Sequence, residues 1–172
     1  LQQIQENKNN IRIIGLSGLG KTRMVLEAFK DNSIRYKYSY IDCQEHNAEE
    51  ILDKTTFMFK YYKEMVLIFD NCNMELHSRI VRVKQSNQAT NPIITIHNDP
   101  DENSTYNSSP LRLQKDFNDV VERILERFKS FYKPEDKEKL LIFAGGIPMM
   151  AQLLVEGLRN GEPIGVVSDT AL

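Results

Sequence analysis

The sequence predicts an α/β domain with a mainly parallel sheet flanked by helices, and three observations predict it. Short apolar runs of strand character alternate with longer stretches whose apolar residues recur at helical spacing. A glycine-rich segment, Gly15-Leu16-Ser17-Gly18-Leu19-Gly20-Lys21-Thr22, stands between the first strand and the first helix. The apolar run Val66-Leu67-Ile68-Phe69 ends on Asp70, with the length and β-branched content of a central strand buried on both faces.

The elements follow in chain order. Ile11-Arg12-Ile13-Ile14 is the first strand, and Lys21 to Lys30 the first helix, with Met24, Val25, Ala28 and Phe29 at helical spacing. Ile34 to Tyr40 alternates with period two, as a strand near a sheet edge does. Ala48, Ile51, Leu52, Thr55, Phe59 and Tyr62 form the stripe of a helix from Asn47 to Lys63. After Val66–Phe69 come a helix over Glu75 to Lys84, a strand over Pro92 to Ile96, and a polar loop from Asn98 to Pro110. Leu111 to Leu113 makes a short fifth strand, and Asp116 is positioned to cap a helix whose buried face runs from Phe117 to Phe128. From Pro134 to Asn160 two helices follow without a strand between them, the first ended by Gly145-Gly146 and the second opened by Pro148.

Bulk properties narrow the function classes. With 172 residues, 41% hydrophobic and 27% charged, the chain matches an ordinary globular domain with at most a small appendage. A net charge of -2 gives no global pull toward nucleic acid or anionic lipid, and no apolar window has membrane-helix length. Cys43 and Cys72 lack the spacing of a zinc site or disulfide framework and read as plain buried thiols, which fits a reducing, cytoplasmic setting. The chain opens on Leu1 and reads as a piece of a longer protein, with residues 1–132 as an α/β domain and 133–172 as the start of a helical subdomain.

The glycine segment carries the chemistry. Gly15 to Thr22 fits G-x-x-x-x-G-K-[ST], in which the backbone N–H groups of Gly15, Ser17, Gly18, Leu19 and Gly20 turn inward around phosphate oxygens and the following helix start adds its positive dipole end. Lys21 then faces the β and γ phosphates, Thr22 offers a hydroxyl to Mg²⁺, and Arg23 lies beside the phosphate path. Asp70, at the tip of an apolar strand, is the second Mg²⁺ anchor, because a carboxylate there needs a cation or donors. Tyr36, Tyr38 and Tyr40 alternate with Arg35 and Lys37, so strand periodicity assigns the rings to packing and the cations to solvent, not to a nucleic-acid surface. His46 and His77 have no partner at ligand spacing.

The loop, the Ile68-Phe69-Asp70 segment and the late Gly145-Gly146-Ile147-Pro148 turn together resemble the STAND class of P-loop ATPases, which includes NB-ARC and NACHT-like domains of signalling and defence proteins. The resemblance runs from Ile11 to Leu158. It implies a five-stranded parallel sheet of order 5-1-4-3-2 with a small C-terminal helical lid, an ATP/ADP-binding molecular switch, and Mg²⁺ as cofactor. It also implies further domains of the same chain as partners, and nucleotide-dependent self-association. Ile68–Asp70 takes the Walker B place, His97 that of a γ-phosphate sensor, and Pro148 that of a proline beside the adenine and ribose. Asn71 stands where an acid commonly follows; an amide is no general base, so slow hydrolysis is expected. The alternatives are an AAA+-type ring ATPase acting on protein or nucleic acid, a P-loop small-molecule kinase, and an interaction module holding nucleotide for support.

Overall fold

The computed structural model describes residues 10–30, 37–99, 108–114 and 116–162. It divides into two compact units, Leu1–Gly15 with Lys21–Leu113, and Leu16–Gly20 with Gln114–Leu172.

The first unit is built on five strands: β1 (Asn10–Ile14), β2 (Tyr38–Asp42), β3 (Val66–Asp70), β4 (Ile93–His97) and β5 (Ser109–Arg112). They pair in parallel in the order β2-β3-β4-β1-β5, which is the expected 5-1-4-3-2 read from the other edge. Helices α1 (Lys21–Ala28), α2 (Ala48–Tyr61) and α3 (Met74–Ser86) connect them. Leu67 and Phe69 of β3 pack with Ile51, Phe59 and Ile80 of α2 and α3. Val66 and Ile68, pointing the other way, pack with Ile11, Ile13 and Val25 of β1 and α1. Alternation along one strand thus feeds two cores, and all of β3 is buried. The side chains of Asn47 and Asn73 cap α2 and α3 by accepting N–H bonds from Glu50 and Leu76 at 2.9 Å each.

Two strand boundaries and the burial of one cysteine differ from the sequence expectation. β2 runs to Asp42 rather than ending at Tyr40, because its register on β3 places Ile41 beside Phe69 and Asp42 beside Asp70; Ile34 to Tyr36 lie outside the described residues. β5 begins at Ser109, inside the stretch read as loop, and contains Pro110. That strand is an edge, where a missing N–H costs no ladder bond. Cys43 is only half-buried, while Cys72 is buried as expected.

The first unit also holds a buried polar network that period-two reading of β1 did not reveal. Arg12 is fully buried and donates from Nη1 to the Cys72 carbonyl and to Thr95 Oγ1, each at 3.1 Å. Thr95 Oγ1 in turn meets His77 Nδ1 at 3.0 Å. His77 is therefore a hydrogen-bonded residue of the core, and the network joins β1, β4, the end of β3 and α3.

The second unit contains α4 (Asn118–Arg127), α5 (Lys137–Ala144) and α6 (Pro148–Arg159). Val121, Leu125, Leu140, Ala144, Ala151, Leu154 and Val155 form its core. Gly145 ends α5 with left-handed backbone, and Pro148 opens α6, where its lacking N–H is no loss. Asp116 does not cap α4. The N-cap is Phe117, without a side-chain bond, and Asp116 Oδ1 instead accepts from Asn118 Nδ2 at 3.1 Å. No helix among the described residues is long and apolar enough to cross a membrane.

Lys84 of α3 is buried and donates to Asn10 Oδ1 at 2.7 Å. Burial lowers its ammonium to about 8 from the ordinary 10.5, so between those values the unfolded chain binds more protons than the folded one and stability rises with pH. Below pH 8 the full cost of the buried charge is present. Urea unfolding across this range is expected to show Lys84→Met removing a pH-dependent component of roughly 3 kcal/mol at most.

Candidate functional site

β1 delivers the chain into the glycine loop. Gly18 and Gly20 have φ of +79° and +83°, left-handed values that only glycine takes at little cost. Gly18 meets a second constraint inside its own unit. Its carbonyl accepts the Met149 N–H at 3.2 Å, and a Cβ there would lie 2.8 Å from Met149 Cβ and 3.2 Å from Ile147 Cγ2. Nothing lies within 4 Å of a Cβ at Gly20, so backbone conformation alone selects glycine there. Leu19 between them is buried, and Ser17 is exposed.

The first turn of α1 carries Lys21 and Thr22 into the first unit. Lys21 is buried and its Nζ donates to the Gly15 carbonyl at 2.9 Å. Burial pushes the ammonium pKa down, and the nearby Asp70 charge pulls it partly back. Thr22 Oγ1 donates to Asp70 Oδ2 at 2.6 Å. Tyr40 donates to the same oxygen at 2.8 Å, and the Asn71 N–H donates to Asp70 Oδ1 at 2.9 Å. Asp70 is only 6% exposed, and a carboxylate that buried stays charged only where donors replace its water. Burial first, and then Asp70, raise the Tyr40 phenol above its ordinary value, which keeps its proton in place as a donor.

Asn71 adopts φ +52°, left-handed backbone that asparagine tolerates better than most residues. Its Nδ2 donates to Asp42 Oδ1 at 2.9 Å, and its Oδ1 accepts from Asn98 Nδ2 at 3.2 Å. Both ends of the amide are engaged, and the tips of β2, β3 and β4 are joined through it.

Of the residues singled out in the sequence, the first unit brings Gly15, Lys21, Thr22 and Asp70 together. His97 ends β4 in register with Ile14, the residue before Gly15. Arg23 is exposed, with its Nε on Glu27 at 2.5 Å. Pro148 is the first residue of α6, and the residue after it bonds Gly18. Tyr40, Asp42 and Asn98 were not anticipated. The alternation around Tyr40 assigned the rings to packing, yet Tyr38 and Tyr40 are 43% and 39% exposed, and the partner of the Tyr40 hydroxyl follows from the β2–β3 register, which sequence spacing does not encode.

The donor set suits one kind of metal. Thr22 and Asp70 offer hard oxygens, and no group of three or more His, Cys, Asp or Glu among the described residues could hold an ion. Mg²⁺ fits such a pair, since it retains waters and completes its shell with substrate phosphates rather than a protein cage.

No protein-family model matches the chain, and no curated protein matches it. Solved structures do match in shape. RuvB, the Holliday junction branch migration motor of Thermotoga maritima, superposes with a TM-score of 0.57 at 16% identity over 88% of this chain and 54% of its own. The fold is that of the P-loop NTPases. A Pyrococcus horikoshii STAND protein with a tetratricopeptide repeat sensor matches with a TM-score of 0.56 at 19% identity, over 90% of this chain and 28% of its own. A Rhizobiales Trip13 gives 0.54 at 14%, over 95% and 72%. The chain thus spans about half the length of RuvB and less of the STAND protein.

The glycine geometry yields a paired prediction. Gly20→Ala is expected to cost about 1–2 kcal/mol from its backbone conformation alone. Gly18→Ala adds overpacking against Met149 and is expected to cost about 1–3 kcal/mol more, as measured by denaturant unfolding of the two variants.

Proposed function

We propose that this chain is the ATP/ADP-binding switch domain of a STAND-type signalling or defence ATPase with slow hydrolysis. The observation that carries the reading is the 2.6 Å bond from Thr22 to Asp70, which unites the loop hydroxyl and the carboxylate at the tip of β3. Lys21 would bind the β and γ phosphates, the loop amides from Gly15 to Gly20 would surround them, and Thr22 and Asp70 would hold Mg²⁺, Asp70 through water. Bound Mg²⁺ would neutralise phosphate charge. The tether of Lys21 to Gly15 at 2.9 Å keeps that ammonium at the loop before phosphate arrives, so its ordering cost is already met. His97 and Pro148 are assigned to nucleotide contact by the family resemblance, and Arg23 by its place beside the phosphate path. Residues 1–132 would serve as the nucleotide-binding domain and 133–172 as the start of its lid.

Slow hydrolysis rests on Asn71. Its amide cannot take a proton from water, and its bonds to Asp42 and Asn98 hold it in place as a structural joint. The second reading is an AAA+ ring ATPase. RuvB, a branch migration motor, is similar in shape, and a nucleic-acid partner enters with that reading, although the net charge of -2 does not favour it.

The test is mass spectrometry of nucleotide released from the purified protein, with titration of a fluorescent ATP analogue in the presence and absence of Mg²⁺. Adenine nucleotide is expected from the wild type and not from Lys21→Ala; equal nucleotide content in both would refute the assignment. Asn71→Asp keeps the shape of the side chain, tolerates the left-handed backbone and supplies an acid, at the cost of the donor to Asp42. Phosphate release by this variant is expected to rise at least about tenfold, below the roughly 10²–10⁴ of a well-placed general base.

A further inference from the structure

Between α4 and α6, within the second unit, lies a groove of about 490 Å³, a volume that takes side chains rather than an ion. One wall is Val120, Arg123, Ile124 and Arg127 of α4, with Phe128 at its end, and the other includes Val155, Glu156 and Arg159 of α6. The α4 residues recur at steps of three and four, so they form one row about two turns, or ~10 Å, in length. Val120, Ile124, Phe128 and Val155 supply an apolar floor, and Val120 is exposed. Side chains set in rows along two neighbouring helices make the grooves into which the ridge of a third helix packs.

The charge around this floor has one sign in excess. Arg123, Arg127 and Arg159 line the groove against a single carboxylate, Glu156. All three arginines are exposed and make no ion pair among the described residues, because Glu122 and Glu126 on the same helix pair with Lys137 and Lys129. Arg127 lies 5.9 Å over the Phe128 ring and Arg159 lies 5.5 Å over that of Phe131. Stacking of this kind orders a guanidinium plane while leaving its donors open to a carboxylate.

The neighbouring acids decide which anion suits the groove. Nucleic acid would bring evenly spaced phosphates, and it binds best along unbroken cations with flat rings for its bases. Here Glu156 interrupts the wall, Asp119, Glu122 and Glu126 line the surface on the other side of Arg123, and the floor is mostly aliphatic. A polypeptide places its carboxylates singly and brings apolar side chains between them. A permanent seam within one chain is more apolar than this, whereas open guanidinium groups around a small floor suit a partner that arrives by electrostatic attraction and leaves again. We propose that the α4–α6 groove is a docking site for an acidic amphipathic helix of a separate protein. Two turns of that helix lay apolar residues on Val120, Ile124 and Val155, and its flanking Asp or Glu carboxylates pair with Arg123, Arg127 and Arg159. The inference does not rest on nucleotide binding and stands or falls separately from it.

The test is selection on the full chain from a phage-displayed library of random peptides about 14 residues long, enough for roughly four turns of helix, followed by fluorescence anisotropy with the enriched sequences as probes. Enriched peptides are expected to carry Asp or Glu beside apolar residues at helical spacing, and to bind more weakly as salt is added. Arg123→Glu/Arg127→Glu is expected to weaken binding by at least about tenfold, and Val120→Asp, which leaves every arginine in place, to weaken it as well. Lys133→Glu/Lys139→Glu changes net charge equally and is expected to leave the affinity within about twofold of wild type. A probe with Lys in place of its acids is expected to bind the Arg123→Glu/Arg127→Glu variant and not wild type, which also shows that the variant is folded. The proposal is overturned by a selection that enriches nothing, by enriched peptides without acids, by affinity that the arginine variant leaves unchanged or the lysine variant lowers as much, or by a charge-swapped probe that does not bind. A single-stranded oligonucleotide held by the same arginines more tightly than the selected peptides also overturns it and assigns the groove to nucleic acid.

Discussion

The site is organised around one buried carboxylate. Asp70 ends an apolar strand and is nearly excluded from water, where an unsatisfied charge would be expensive. Three donors answer it from three places: Thr22 on the first turn of α1, Tyr40 on β2, and the backbone of Asn71. Meeting that one charge ties the first turn of α1 and the edge strand β2 to the tip of β3. The arrangement suited to a cation beside phosphate therefore follows from a local requirement for solvation.

A second polar constraint works deeper in the same unit. Arg12 carries a full charge in a central strand, and its bonds to the Cys72 carbonyl and Thr95 substitute for water in the way buried guanidinium groups require. The Cys72 carbonyl lies two residues past Asp70, so the network steadies the backbone on which the carboxylate is mounted. Burial, and before it a hydrogen bond with Cys43, also raise the Cys72 thiol, leaving that cysteine an unreactive part of the core rather than a nucleophile.

Asn71 serves structure at the position where the resemblance places an acid. Its left-handed backbone, its bond to Asp42 and its bond from Asn98 make it the link between three strand ends. The same features that make it a poor base make it a good joint.

Much of this was legible in the residues. The glycine spacing located the loop between β1 and α1, the unbroken apolar run located the central strand, and its terminal aspartate marked the carboxylate on which Thr22 and Tyr40 converge, because each is a local pattern with a local physical cause. The helical stripes of α2 and α4 were equally readable from periodicity, and Gly145 and Pro148 marked where α5 ends and α6 begins. Tertiary structure decided what depends on register and approach. The pairing of Asp42 with Asp70 brought Tyr40 and Asp42 into the site, the edge position of β5 allowed Pro110 into a strand, and the close approach of Met149 gave Gly18 a second reason to be glycine. Sequence spacing encodes which face a side chain takes. Which neighbour waits on that face is set by how strands align and helices dock, and that is a property of the whole chain.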